Sequence, residues 1–252
     1  MSDSPLPSKP RIAYFDIETA PATALAWGGK MYEENLIEIV HPWHILCFSV
    51  KWNHERRVRT YTLPDFPEFK RDKHSDSGLC KKLHSVFDEA DFLIGHNSIR
   101  FDERKARARF AFWNLPPPSP SRSIDSLRIA RSQFGFTSNR LNDLGVFLGC
   151  GAKRDTGGFK LWKAAMDGDP IAFKQMGRYC ARDVELLVQV YEKLRPFATN
   201  HPNTAAFTDR PACPVCQSNN VQRRGVRVAI KRRFERMQCQ KCGHWYSGKK
   251  IA

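Results

Sequence analysis

At 252 residues and 41% hydrophobic, the chain has room for one α/β domain plus a small accessory module. No apolar run approaches the ~18 residues that span a bilayer, which excludes a membrane-spanning helix as a reading. The formal net charge of +15 points instead to a polyanionic partner, with nucleic acid the first candidate and solubility alone the bland alternative.

Residues 1–10 lack the apolar core of a signal peptide and are expected to form a disordered lead-in. Arg11-Ile-Ala-Tyr-Phe-Asp-Ile-Glu is an apolar run that predicts a buried strand over 11–18, followed by an irregular segment over 20–42. Further strands are expected near 44–52 and 57–63, then a helix at 78–90, a strand at 92–96 and a helix starting near Phe101. Pro116-Pro-Pro-Ser-Pro120 ends that helix, because consecutive prolines forbid its continuation. A short strand at 122–125 runs into a helix carrying Leu127, Ile129 and Ala130. Asn142–Leu148 reads as helical, closed by Gly149 and Gly151, and a long helical pattern covers 171–194 up to Pro196. Strands first with helices interspersed suit a mixed sheet covered by helices.

Four carboxylates and a tyrosine stand out along this pattern. Asp16 and Glu18, two apart on a strand, leave the same face. Tyr179 and Asp183, four apart, share one helix face. Acidic groups gathered in this way repel one another unless cations neutralise them, so the set asks for divalent metal. Phosphodiester cleavage by two metal ions ~4 Å apart needs hard oxygen ligands of this kind, which suit Mg²⁺ or Mn²⁺. Asp102 alone reads equally well as a charge at a helix N-terminus, and Tyr179 alone as a core aromatic.

Phe15-Asp-Ile-Glu-Thr19, Gly95-His-Asn-Ser-Ile-Arg-Phe-Asp102 and Tyr179-Cys-Ala-Arg-Asp183 resemble, in order, the three motifs of the DEDD superfamily of 3′→5′ exonucleases. Residues 11–196 look closest to predicted exonucleases related to the proofreading domain of family B DNA polymerases. Leu141-Asn-Asp-Leu-Gly, Asp155-Thr-Gly-Gly-Phe-Lys-Leu-Trp162 and Lys51-Trp52 also fit that subgroup. The resemblance implies a ribonuclease H-like fold with a mixed five-stranded sheet. Because Tyr179 stands four residues before Asp183, it implies the tyrosine type rather than the histidine type. It further implies that Asp16 bridges two Mg²⁺ or Mn²⁺ ions. Glu18 and Asp183 would complete the site that carries the nucleophilic water, Asp102 would hold the second ion through its water shell, and Tyr179 would orient the attacking water.

Secondary residues carry softer expectations. The Thr19 backbone N–H would meet the terminal nucleotide, as the resemblance implies. Asn97 either contacts substrate or fixes a strand-to-helix turn, with the turn favoured. His96 reads as a satisfied histidine beside the site, and Asp125 as structural. Lys160 and Trp162 either touch nucleic acid or, for Trp162, fill the core.

Residues 199–210 have linker composition between a domain at 11–198 and a module at 211–252. There Cys213-Pro-Val-Cys216 and Cys239-Gln-Lys-Cys242 read as a four-cysteine zinc ribbon with one structural Zn²⁺. The other four cysteines look reduced and mostly buried, as in a cytoplasmic protein. From Asp209 onward eleven bases face only Asp209 and Glu235, which concentrates +9 of the charge in the tail. Arg223, Arg224, Arg227, Arg232 and Arg233 alternate with apolar residues, predicting a hairpin with a basic face that grips phosphate. A protein-docking ribbon is the rival. The expected activity is release of 5′-mononucleotides from single-stranded 3′ ends, DNA favoured. RNA 3′-end trimming and a non-catalytic nucleic-acid-binding or recruitment role are the alternatives.

Overall fold

The computed structural model describes residues 9–27, 36–152, 157–208 and 211–251. Most of the lead-in, Gly28–Lys30 beyond Trp27, Asp155 with its neighbour Thr156, and residues 209–210 lie outside them.

Strand β1 (Ile12–Ala20) is followed by β2 (Thr23–Leu25), β3 (Glu38–His41), β4 (His44–Trp52) and β5 (Arg59–Thr62). Then come α1 (Ser77–Glu89), β6 (Phe92–Gly95), α2 (Asp102–Phe112), β7 (Arg122–Asp125) and α3 (Ser126–Gln133). Helices α4 (Leu141–Phe147), α5 (Phe159–Met166) and α6 (Pro170–Leu194) complete the body. Strands β8 (Val221–Ala229), β9 (Arg232–Cys239) and β10 (Trp245–Ile251) form a separate sheet in the order β10-β9-β8.

The body is a mixed five-stranded sheet, order β5-β4-β1-β6-β7, flanked by helices. Central β1 runs antiparallel to β4 and parallel to β6. Its apolar run is explained by burial on both faces. Ala13, Phe15 and Ile17 join the cluster that includes Leu83 and Phe87 of α1, and Phe15 meets Phe87 edge-on at 5.1 Å. Ile12 and Tyr14 join the cluster under α6, where Tyr14 meets Tyr191 at 5.8 Å. Full burial on two sides produces a continuous apolar strand rather than an alternating one.

Helix α6 begins where Asp169 accepts from the Ile171 N–H (2.8 Å) and Pro170 occupies the first turn. Its buried stripe, Phe173, Met176, Cys180, Val184, Leu187 and Tyr191, keeps the spacing of a single face. Buried Asp183 lies on that side too, so a carboxylate is carried inward by the same stripe that packs the helix.

Three expectations are corrected. Part of the irregular segment 20–42 is a short antiparallel hairpin, β2 with β3, whose strands of three and four residues are too short and too exposed to show a period. Helix α5 was not expected, because Gly157 and Gly158 precede it; both adopt left-handed φ and turn the chain into its first residue. The stretch 199–208, of linker composition, packs closely. Thr204 donates its N–H and hydroxyl to the Pro214 carbonyl (2.8 and 2.9 Å), and Phe207 meets Phe92 at 6.1 Å.

Candidate metal and nucleic-acid site

The β1–β6 ladder ends at Tyr14, paired with Ile94, so Asp16 and Glu18 lie past it at the carboxyl end of β1. Asp16 and Glu18 point from β1 toward α6, and Asp183 meets them from the helix. Carboxylate oxygens of the three lie within 4.8 Å of one another. A register shift between Glu18 and Thr19 marks a β-bulge at the end of the pair, a device that re-aims side chains at the rim of a site.

Asp102 stands in the first turn of α2 and is 4% exposed. Its Oδ1 accepts from the Ile17 N–H (3.2 Å), an amide past the end of the β1–β6 ladder. The aspartate is thus bonded to the β1 backbone between Asp16 and Glu18, outside the group formed by the other three carboxylates. Burial raises its pKa; the Ile17 amide works against that rise, and neighbouring Asp125 and Glu103 add to it.

Tyr179, half-buried and one turn before Asp183, has its ring edge-on to Trp162 at 6.0 Å. Trp162 packs against the main core from α5, in line with the core reading, and supports the tyrosine as well. Cys180 was read only as a buried, reduced cysteine. Its sulfur sits 3.5 Å from the Asp16 carbonyl oxygen and 3.7 Å from Asp16 Oδ2. Burial holds the thiol well above its usual pKa, so it is a neutral S–H donor that orients Asp16. The only signal in the sequence was its place between Tyr179 and Asp183.

Asn97 adopts φ 66° and its N–H donates to Asp125 Oδ1 (2.8 Å), which also accepts from the Leu127 N–H. It sits in the turn between β6 and α2, which the Asp125 carboxylate ties to the first turn of α3. Gly95 belongs to the same turn: a Cβ there would fall 2.3 Å from that of Ser98. His96 is satisfied, Nδ1 against Ser126 Oγ and Nε2 against the Asn139 carbonyl, both at 2.9 Å. Asn97 also borders a cleft of about 930 Å³ rimmed by Arg100, Arg131 and Arg140. Those arginines are scattered along the sequence and escaped notice there. Thr19 is half-buried at the bulge and Lys160 is exposed on α5.

In the carboxy-terminal sheet the four cysteines converge, with Cys213 Sγ 3.7 Å from Cys242 Sγ and Cys216 Sγ 3.5 Å from Cys239 Sγ. Burial raises the Cys213 and Cys242 pKa values. At Cys239 burial acts in the same sense but is outweighed by the Cys242 and Lys241 backbone N–H groups and neighbouring thiols, so its pKa falls. The cluster fits a small zinc-binding domain. The expected basic face is corrected: a bulge between Arg223 and Val226 splits the bases between two faces. Arg227 and Arg232 share one with Arg236, while Arg223 and Arg233 lie on the other, where Arg223 pairs with Glu235.

No protein-family model matches the chain. An 80-residue stretch is 32% identical to Protein NEN3 of Arabidopsis thaliana, covering 31% of this chain and 16% of that protein. The fold is similar to part of the family B DNA polymerase of the hyperthermophilic archaeon Pyrobaculum calidifontis. The TM-score is 0.51 at 16% identity over 74% of this chain and 25% of the polymerase. The chain thus spans about a sixth and a quarter of these two relatives' lengths. Among the described residues no helix is long and apolar enough to cross a membrane.

Proposed function

We propose that the chain is a metal-dependent 3′→5′ exonuclease of the tyrosine-type DEDD class, with a ribonuclease H-like body at 11–198 and a zinc ribbon at 211–252. It releases 5′-mononucleotides from single-stranded 3′ ends, with DNA favoured over RNA. The observation that carries this reading is the convergence of Asp16, Glu18 and Asp183, with Tyr179 one helical turn before Asp183 and Asp102 bonded to the Ile17 amide. The similarity of the fold to part of a DNA polymerase supports a nucleic-acid substrate and favours DNA.

The residues present fit the groups implied. Three clustered carboxylates are a hard oxygen set suited to Mg²⁺ or Mn²⁺, and four converging thiols suit Zn²⁺. Divalent ions bound there would polarise the scissile phosphate and make water a competent nucleophile near neutral pH. Asp16, Glu18 and Asp183 would hold one ion, with Asp16 and Asp102 serving the second.

The chain's own groups do the positioning. Tyr179, braced by Trp162 and one turn before Asp183 on α6, would orient the attacking water. Its part is to orient water rather than to act as a general base. The Cys180 thiol fixes Asp16, and the Thr19 N–H meets the terminal nucleotide. Asn97 and Lys160, with Arg100, Arg131 and Arg140 along the cleft, steer the strand. Exposed Arg223, Arg224, Arg227, Arg232 and Arg233 hold phosphates further along. Reduced cysteines suit a cytoplasmic location.

The test is digestion of labelled single-stranded DNA, duplex DNA and RNA with Mn²⁺, wild type beside Asp16→Ala. Loss of single-stranded DNA with wild type alone is expected. Equal degradation by both proteins refutes the site, no degradation by either favours a purely binding role, and faster loss of RNA reverses the substrate preference.

A further inference from the structure

We infer that the cleft where the ribbon meets the end of α6 is a second binding site for single-stranded nucleic acid, one that holds a base and its phosphates away from the carboxylates. It rests on the nucleic-acid reading of the ribbon but not on catalysis. The cleft, about 640 Å³, lies between the segment Pro196–Thr199 and one face of the ribbon sheet. That face is set by register: Ser247 pairs with Arg236 and Trp245 with Gln238, while Arg227, paired with Phe234, lies on the same side.

Two exposed aromatics border the cleft, Phe197 at 59%, edge-on to Phe134 at 5.0 Å, and Trp245 at 48%. Arg227 and Arg236 line the same cleft, each held by a hydrogen bond. Arg227 donates to Ser247 Oγ (2.7 Å), and Arg236 donates from Nε to the Arg224 carbonyl (2.8 Å) with its guanidinium 5.4 Å from the Trp245 ring centre. Flat apolar walls with paired, oriented cations match a stacked base and adjacent phosphates. An acidic peptide would satisfy the arginines and leave the aromatic walls unused.

The cleft is also built to keep its shape. His244 is 8% exposed, bonds through Nδ1 to the Pro196 carbonyl (2.9 Å), and offers its own carbonyl to the Cys239 N–H (2.9 Å). One wall is therefore tied to the cysteine cluster and the other to the body. Leu194, at the end of α6, lies eleven residues past Asp183, so ~16 Å of helix separates the cleft from the carboxylates. A strand occupying both sites is gripped at two points.

The test is titration of the zinc-loaded full chain with fluorescent oligo(dT) and oligo(rU) in Ca²⁺, across a salt series. Trp245→Ala is expected to weaken binding about tenfold and Trp245→Phe far less, because a phenyl ring still stacks. Arg227→Ala with Arg236→Ala should flatten the slope of log K against log salt by about 1.4, two phosphates at ~0.7 each. Unchanged affinity and slope in variants that retain zinc and the wild-type melting temperature overturn the inference. Should Trp245→Ala lose zinc, Phe197→Ala on the opposite wall decides by the same criterion. Equal losses with dT and rU support a site shared by both nucleic acids. Tight, Trp245-dependent binding without any digestion in Mn²⁺ would leave this site standing and remove the exonuclease.

Discussion

Asp183 shows how packing places chemistry in this molecule. It is 1% exposed, on the inward side of α6, and its carboxylate lies within 4.8 Å of those of Asp16 and Glu18. Repulsion in such a group is relieved by a bound cation or by a retained proton. Asp183→Asn is therefore expected to raise stability slightly in the absence of metal while lowering turnover at least ~10³-fold, the equivalent of several kcal/mol of metal-borne stabilisation. Tyr179→Phe, which keeps the ring against Trp162, should cost about 10²-fold in kcat with little change in KM. Thermal melts beside single-turnover rates check both; a Tyr179→Phe enzyme at full rate removes the tyrosine from the reaction. The carboxylates were legible in the sequence because charges inside an apolar strand and an apolar helix face have few innocent explanations. Cys180 and Trp162 were not, since a thiol or indole looks the same whether it fills a core or braces a catalytic group.

Among elements, the long helix and central strand were readable because their periods are strong. The β2–β3 hairpin was hidden by its short, exposed strands, and α5 by the glycines that turn into it. The segment after α6 was misjudged because polar composition does not reveal packing. His201 in that segment bonds through Nδ1 to the Pro202 carbonyl (2.7 Å) and through Nε2 to the Tyr191 hydroxyl. Only neutral imidazole can donate at one nitrogen and accept from Tyr191 at the other. Burial accordingly pulls its pKa from 6.5 down to about 4. Between those values the unfolded chain binds more protons, so stability rises with pH across that window. The contribution is fully present above 6.5 and lost as pH falls toward 4; allowing for partial exposure it amounts to about 2 kcal/mol. Urea unfolding of wild type and His201→Gln over pH 4–6.5 measures it. Wild type should show the steeper fall, and parallel curves would exclude His201 as the titrating group.

At the scale of the whole molecule, the ribbon is too small to stand on packing alone. Its buried apolar core is Cys213, Val215 and Cys239 among the described residues, so metal–thiolate bonds must supply most of its stability. Chelation should unfold residues 211–251, exposing them to protease, while the body keeps its melting transition. A ribbon that stays protease-resistant after measured loss of metal would exclude a structural ion. The two-part organisation was visible in cysteine spacing and charge, but its consequence was not. The sequence could not show that His244 fastens the ribbon to the body at Pro196, because that contact joins residues 48 apart in the chain. Directional hydrolysis at the Asp16–Glu18–Asp183 group is what the proposed function requires. The most direct measurement is a time course on a 5′-labelled single-stranded DNA in Mn²⁺, resolved to single nucleotides. A ladder shortening one residue at a time, with the label in ever smaller fragments and none formed by Asp16→Ala, is predicted. Immediate release of the label as a mononucleotide, or internal cuts of fixed size, would contradict the account.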